Sequence, residues 1–353
     1  MSHTPPPVCS RSRGAARTAA LVFLASLTAA GAAPAQTPPT LDIYWIDVEG
    51  GAATLIVTPG GQSVLMDAGW DRADGRDAGR IEAAMNDAGI TEIDYFITSH
   101  FHGDHVGGLS ALAARVPIGQ YIDHGESVEQ DNESRRALWD AYLDVAAGQQ
   151  RTIVPGDELS LRGVQFTFVT AHGEILSRAL GQPGQNSRCE DRSAGDDLSG
   201  ENSRSVGYLL ALGDFEFLNL GDLTVNVQHE LACPQNLLGV VDLFQVPHHG
   251  NGVATQLTWA LAPTVAVLNN GPHKGGSAEG YEAVSSIPGI GGIWQLHRAL
   301  DVDDEHNTTA RMTANLEEEN DSAYWIKATV SPDGVSYTIE NARNEYGETY
   351  RTK

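Results

Sequence analysis

Alternating apolar and polar positions predict strands at residues 41–48, 53–58 and 63–69, separated by Gly and Pro-Gly turns. A helical spacing follows at residues 79–89 and ends on Gly89. The pattern then predicts a strand, a helix, a strand, a long polar helix and a hairpin, in this order at residues 93–99, 105–116, 117–123, 128–147 and 158–171.

The second half of the chain repeats this mixture of strands and helices. Residues 205–222 predict a hairpin that turns at Gly213 and Asp214. A strand, a helix, a strand, a helix and a C-terminal hairpin follow at residues 240–247, 254–262, 264–270, 278–287 and 324–341. Residues 173–204, rich in Gly, Ser, Asn, Asp and Arg, predict an insertion loop. Two such halves favour an α/β (α+β) fold in which two sheets pack face to face with helices outside, an αββα sandwich.

The first 35 residues carry a different signal. Three arginines precede an apolar, Ala-rich run, and small residues at Ala33 and Ala35 follow it. This order is typical of a secretory signal peptide (1–35) that is cleaved after Ala35. A transmembrane anchor is the alternative, but the run is shorter than the roughly 20 residues that a bilayer requires, and no other run is longer. We therefore expect a periplasmic or secreted protein without a stable membrane anchor, with its main domain at 36–300 and a C-terminal β extension at 301–353 packing on that domain.

Composition adds two expectations. The chain of 353 residues has a net charge of −24, and loss of three arginines with the signal peptide makes this −27. Such a charge repels phosphate backbones, so a nucleic-acid partner is disfavoured; solubility in a salty exterior is the explanation that we prefer. Cys189 and Cys233 remain in the mature chain and predict one disulfide, with free thiols or a soft metal ligand as alternatives. The sequence indicates no oligomeric state.

Candidate chemistry is concentrated in the stretch "TSHFHGDHVGG", which holds three of the chain's 12 histidines. His100 and His102 lie two positions apart at the end of a strand, so both side chains point to one side and can bind one ion. Asp104 and His105 follow Gly103, where the chain must turn, and can bind a second ion. Imidazole and carboxylate groups suit Zn²⁺. Four ligand-type residues in six positions make a merely polar loop improbable.

This stretch resembles the HxHxDH motif of the metallo-β-lactamase superfamily, and the similarity extends over roughly residues 41–300. "NSRSVGYLL", "FLNLGD" and "VPHHG" most resemble the ComEC-type competence and phosphorylcholine-esterase branch. The resemblance implies the αββα sandwich of that superfamily. It also implies that Asp67 holds the metal loop by hydrogen bonds, that His172 is the third histidine ligand, and that Asp222 bridges two metal ions.

The resemblance implies a centre of two divalent ions, most simply Zn²⁺, with Mn²⁺ and Fe as alternatives. One ion would be bound by His100, His102 and His172, the other by Asp104, His105 and His248, with Asp222 shared. His248 and His249 point in different directions as neighbours; we favour His248 as the ligand and His249 as a residue that faces the substrate.

The same centre predicts the catalytic groups. Two ions would lower the pKa of a water that bridges them, which supplies a nucleophile for hydrolysis, with Asp104 holding one of the ions. His249 and His273 are candidates to protonate the leaving group, although His273 could equally be a surface residue, and Lys274 could hold an anion. Trp294 and Leu296 indicate a buried strand with His297 in the core, and His306 is expected to face solvent.

These features predict an exported, dinuclear metal-dependent hydrolase. Analogy with the family favours phosphodiester-like substrates, either small molecules or anionic fragments of polymers. A lactone, ester or thioester hydrolase is the nearest alternative. An iron-dependent oxidoreductase with the same ligand set is an alternative of another class, and a metal analysis with a visible spectrum distinguishes it from a zinc enzyme.

Overall fold

Two mixed β-sheets packed face to face, with helices on both outer surfaces, form the body of the protein, as the αββα prediction requires. The computed structural model describes residues 4–9, 39–181, 184–189, 198–318 and 322–353. Most of the predicted signal peptide (10–35) lies outside the described residues, and residues 4–9 have no regular secondary structure. Residues 38–353 form one structural unit.

The first half of this unit supplies six strands and three helices. The strands are β1 Leu41–Trp45, β2 Thr54–Val57, β3 Ser63–Met66, β4 Ile93–Ile97, β5 Ile118–Asp123 and β6 Gln150–Thr152. The helices are α1 Arg76–Asp87, α2 Leu109–Ala113 and α3 Glu133–Ala146. Helix α3 begins where the Asn132 side chain accepts hydrogen bonds from the backbone N–H groups of Ser134 and Arg135, an N-cap that satisfies two otherwise free donors.

The described residues of the second half supply ten strands and three helices before the C-terminal strands. The strands are β7 Gln165–Ala171, β8 Glu174–Ile175, β9 Gly184–Gln185, β10 Gly207–Leu212, β11 Phe215–Asn219, β12 Gln235–Asn236, β13 Leu243–Gln245, β14 Val265–Leu268, β15 Gly292–His297 and β16 Thr313–Asn315. The helices are α4 Val225–Ala232, α5 Thr255–Leu261 and α6 Ala278–Ser285. The chain ends with β17 Ile326–Val330, β18 Ser336–Asn341 and β19 Tyr346–Arg351.

The two large sheets place the terminal strands beside the first ones. Sheet one has the order β19-β18-β17-β1-β2-β3-β4-β5-β6, and sheet two has the order β16-β15-β14-β13-β11-β10-β7-β8. Residues 301–353 therefore contribute strands to both sheets, β16 to sheet two and β17–β19 to sheet one.

Alternation along β1 shows how the sequence builds the layers. Ile43 and Trp45 point into the core between the sheets, whereas Tyr44 points to the layer that packs under the first three helices. Helix α1 turns a face with Ala78 and Ile81 to that layer, which is the spacing of one helical face. A third apolar layer lies under the last three helices.

Most predicted elements occur within a few residues of their predicted bounds, and four differences stand out. The predicted hairpin at 158–171 has only its second strand, because residues 159–163 run beside that strand with a single bridge between Glu158 and Thr167. Helix α2 is shorter than the predicted 105–116. Helix α4 and strand β19 were not predicted.

The predicted insertion loop is partly described, at 173–181, 184–189 and 198–204. Cys189 and Cys233 form a disulfide with a Cα–Cα distance of 5.5 Å, which confirms that prediction. In the described part of the chain, no helix has both the length and the apolar character needed to cross a bilayer.

Candidate metal centre

Loops from both sheets converge at one edge of the sandwich. Asp67 follows β3, and the histidine-rich loop (98–108), also called the metal loop below, follows β4, the parallel neighbour of β3. Asp222 follows β11, and the His248–His249 pair follows β13, which is parallel to β11. Because the carboxyl ends of parallel strands meet at the same edge of a sheet, these positions lie close together.

Four side chains form a buried cluster at this edge. Potential ligand atoms of Asp104, His105, Asp222 and His249 all lie within 4.8 Å of one another. Asp222 Oδ2 is 3.2 Å from His105 Nε2 and 3.2 Å from His249 Nε2. Asp104 Oδ2 is 3.2 Å from His105 Nε2 and 3.3 Å from His249 Nε2. Two imidazoles thus face two carboxylates in a space closed to solvent.

Asp67 and Ser99 fix the orientation of the His105 and His100 imidazoles through hydrogen bonds to their Nδ1 atoms. Asp67 Oδ2 accepts hydrogen bonds from His105 Nδ1 at 2.8 Å and from Ser99 Oγ at 2.7 Å. Since the Ser99 hydroxyl has only one proton, its oxygen accepts the bond from His100 Nδ1 at 3.0 Å. The predicted role of Asp67 as a hydrogen-bonding support is present in this geometry.

These bonds leave the other ring nitrogens free. The Nε2 atom of His100 is buried and has no hydrogen-bond partner among the described residues, whereas that of His105 faces the carboxylates of Asp104 and Asp222. A buried polar atom without a partner is costly unless something else binds it. His102 lies beside His100, with ring centroids 4.5 Å apart, and its side chain is 17% exposed.

The charges of the cluster are strongly coupled. Burial would raise the pKa of Asp222, but the imidazoles of His105 and His249 lower it well below its usual value. Burial would lower the pKa of His105 and His249, but the charge of Asp222 raises both. Burial, with the neighbouring charge of His105, lowers the pKa of His100 well below its usual value, so its ring is neutral and can donate a lone pair.

The backbone at this edge adopts conformations that ordinary residues avoid. The φ angles of Asp67, His172, His248 and His249 are 65°, 54°, 52° and 55°. Left-handed conformations of this kind cost free energy in non-glycine residues and concentrate at functional sites. The donor set, the unpaired Nε2 of His100 and the left-handed backbone conformations fit a site for divalent cations.

Residues 46–175 match the family model described as Metallo-beta-lactamase superfamily. They contain Asp67 and the whole histidine-rich loop. This region belongs to the metallo-beta-lactamase superfamily. Asp222 and His249 of sheet two lie outside the matched region and complete the buried cluster with Asp104 and His105.

Solved structures with similarity to this chain share little sequence with it. A metallo-beta-lactamase with a HARLDQ motif from Cronobacter sakazakii is 18% identical, with a TM-score of 0.33, over 54% of this chain and 65% of that one, so the chain spans less than two thirds of that protein. The metallo-beta-lactamase fold protein YhfI from Bacillus subtilis is 11% identical, with a TM-score of 0.43, over 73% of this chain and 96% of that one. A diphosphatase from the PhnP family is 14% identical, with a TM-score of 0.38, over 72% and 94%. No curated protein matches the chain.

Five residues assigned from the sequence to the metallo-beta-lactamase site lie outside the four-residue cluster. His100 and His102 are described above, and the other three are His172, His248 and His273. His248 is partly exposed, with Nε2 3.9 Å from Asp222 Oδ2, and it is His249 that joins the cluster instead. The His172 side chain is exposed, and its ring lies 6.0 Å from that of His124. His273 faces the acidic side chains of Asp301 and Glu318.

The remaining predictions about this edge concern Lys274, His297 and His306. Lys274 Nζ contacts Asp104 Oδ2 and lies 3.3 Å from His249 Nε2, so the ammonium lies at the cluster itself. His297 is buried in β15 and bonds to Asp47 Oδ1 at 2.7 Å, as expected for a core histidine. The His306 side chain is 22% exposed and lies between Asp303 and Glu282.

Three residues that support the histidine-rich loop, Ser99, Glu129 and Glu201, were not predicted from the sequence. Ser99 was inside the motif, yet its role depends on which atoms its hydroxyl reaches. Glu129 and Glu201 contact the metal loop from positions 27 and 100 residues away in sequence. A Glu in the polar segment 198–204 that becomes fully buried gives no local signal of its role.

Proposed function

We propose that the protein is an exported dinuclear metal hydrolase that acts on anionic, phosphodiester-like substrates. The proposal rests on one observation, the buried cluster of Asp104, His105, Asp222 and His249. The unpaired Nε2 of His100 lies beside this cluster. Ligands of these types suit Zn²⁺, with Mn²⁺ or iron as alternatives. When bound, two divalent ions would supply an activated water and polarise the bond under attack.

The geometry supports a specific division of roles in this proposal. Asp222 is the shared carboxylate, since its Oδ2 faces both His105 and His249. His249, rather than His248, is the last ligand. His248 is the partly exposed neighbour that faces the substrate, with Nε2 3.3 Å from the side-chain amide of Asn202. His100 and His102 bind the other ion, and His172 has to reorient its exposed side chain to join them.

Positive groups beside the cluster support an anionic substrate. Lys274 and Arg72 both lie over the ring of Trp70, each 4.9 Å from its centroid. In a chain with a net charge of −24, two cations on one aromatic ring next to the metal ligands form a local attraction for a phosphate or carboxylate group.

A hydrolysis screen of the zinc-loaded mature protein tests the proposal. We expect turnover of aryl phosphodiesters above that of phosphomonoesters, lactones, thioesters and β-lactams, with two equivalents of zinc by metal analysis. Preferential turnover of lactones or thioesters would reassign the substrate class. Tightly bound iron with a visible absorption spectrum, and no hydrolysis, would support an oxidoreductase instead.

Export is the other part of the proposal. The order of basic, apolar and small residues in the first 35 positions and the Cys189–Cys233 disulfide support it. N-terminal sequencing of the periplasmic or secreted protein should begin at Gln36. A mature protein that still contains "LVFLASL" would contradict the predicted cleavage.

A further inference from the structure

A carboxylate outside the predicted ligand set holds one of the predicted ligands. Glu129, in the loop after β5, places Oε2 3.3 Å from His102 Nε2. A carboxylate only accepts hydrogen bonds near neutral pH, so Nε2 of His102 must carry the proton. The lone pair of that imidazole is then on Nδ1.

We propose that Glu129 is a positioning residue for the first metal ion, because it holds the Nε2–H form of His102 and thereby directs Nδ1 to the ion. The inference rests on the proposed metal centre. Ser99 orients His100 in a similar way, but it bonds to Nδ1 of that ring and leaves Nε2 free. The two rings lie 4.5 Å apart, so one ion can be held by Nε2 of one and Nδ1 of the other.

Glu129 is itself held in place. The backbone N–H of Glu201 donates to Glu129 Oε1 at 3.0 Å, and Arg135 Nη1 lies 3.4 Å from Oε2. Both oxygens of Glu129 are therefore engaged, and its side chain is only 26% exposed. Such outer carboxylates orient a histidine ligand and increase its basicity.

Glu201 connects this support to the backbone of the metal loop. Its buried carboxylate accepts hydrogen bonds from Phe101 N and His124 Nε2, each at 3.0 Å. The same carboxylate accepts from Ser127 Oγ at 2.8 Å and from Val128 N at 2.7 Å. Since Phe101 lies between the two histidines, one loop segment fixes both the backbone between the ligands and the carboxylate that orients His102.

The test compares Glu129→Ala and Glu129→Gln with Glu126→Gln as a matched control. Glu126 is an exposed neighbour whose carboxylate contacts Gln130. Stepwise zinc affinities are measured by chelator competition, and imidazole nitrogens are observed by NMR of the zinc-loaded, ¹⁵N-labelled protein. We expect Glu129→Ala to lower one zinc affinity about 10- to 100-fold. Glu129→Gln retains an acceptor oxygen and should restore part of that loss, and Glu126→Gln should match the wild type.

The NMR spectra give a result that a purely structural role would not produce. We expect His102 of the wild type to be protonated at Nε2 and to bind zinc through Nδ1, and this preference to weaken in Glu129→Ala. Wild-type His102 bound through Nε2, or unchanged zinc affinities in both Glu129 variants, would overturn the proposal. If Glu129→Ala does not fold, the near-isosteric Glu129→Gln decides. A wild-type protein that takes up no zinc would instead refute the metal centre, and with it this inference.

Discussion

Charge and shape can be separated at Asp222 by a single substitution. Asp222→Asn keeps the size of the side chain but removes the negative charge that lets two dications lie close together. We therefore predict lower metal occupancy and hydrolysis reduced by at least about a hundredfold, on the order of 3 kcal/mol in the barrier. Metal analysis and steady-state kinetics on the proposed substrate class measure both effects.

Asp214 provides a control for this substitution. It lies at the opposite end of β11, at the exposed turn between β10 and β11. Asp214→Asn should leave metal content and turnover unchanged. If Asp222→Asn keeps two metals and normal turnover, Asp222 is not the shared ligand.

Glu201 makes folding stability depend on pH. Burial would raise its pKa, but hydrogen bonds, first from His124, lower the pKa of Glu201 from 4.5 to about 2. A carboxyl group with a pKa lowered on folding stabilises the protein above its unfolded pKa, and this contribution disappears as pH falls from about 4.5 to about 2. The shift corresponds to about 3 kcal/mol.

The comparison with Glu201→Gln isolates this contribution. We predict that the variant is less stable than the wild type by about 3 kcal/mol at pH 6, and that the difference shrinks towards zero near pH 2. Denaturant unfolding of both proteins over that pH range measures it. If the difference in unfolding free energy between the two proteins does not change with pH, Glu201 is not charged in the folded protein.

At the residue scale, a short motif is enough to propose candidate metal ligands, and these remain predictions. His100, His102, Asp104 and His105 are consecutive or nearly so, and local spacing is enough to propose them. The sequence favoured His248 as the ligand, whereas His249 joins the buried cluster. Both residues adopt left-handed backbone conformations that no sequence pattern of non-glycine residues predicts.

The glycines of the metal loop act at the scale of elements. A Cβ added at Gly108 would overlap the carbonyl oxygen of Ala68, so only Gly allows helix α2 to begin against the loop after β3. At Gly103 a Cβ would find its nearest neighbour, Leu138 Cδ1, at 3.9 Å, which is ordinary contact. The turn that the sequence suggested at Gly103 therefore does not require glycine.

We predict that Gly108→Ala destabilises the protein by about 1–3 kcal/mol, since the overlapping atom belongs to rigid backbone. The same substitution at Gly103 should change stability by much less. Thermal unfolding of the two metal-free variants compares them directly. Equal losses would mean that the loop tolerates a side chain at Gly108 by shifting.

Helices and strands were predicted correctly where the apolar residues follow a clear helical or strand periodicity. Strands β1–β5 alternate or are continuously apolar, and the structure has them all. Helix α4 escaped detection because Gln228 interrupts its apolar face; that side chain is buried and bonds to the carbonyl oxygens of Leu223 and Gly252. The hairpin predicted at 158–171 is wrong in its first strand. Leu159 and Leu161 are buried as the alternating pattern requires, but the segment forms no regular strand pairing.

The disulfide matters for the whole molecule because it closes a loop with a sequence separation of 44 residues. A constraint on a loop of that length lowers the entropy of the unfolded chain and is worth on the order of 4 kcal/mol in a chain-entropy treatment. We predict a loss of 2–4 kcal/mol in Cys233→Ser, measured by denaturant unfolding. Non-reducing peptide mass spectrometry should show the Cys189–Cys233 pair; two alkylatable cysteines in the freshly isolated protein would contradict it.

The metal centre takes its side chains from both halves of the sandwich, Asp104 and His105 from sheet one and Asp222 and His249 from sheet two. Metal ions bound there would hold the two sheets together, and their binding free energy would add to the free energy of unfolding. Where metal is scarce, the protein would open more often and be degraded faster. Metal supply would then control how much of the protein persists in the folded state.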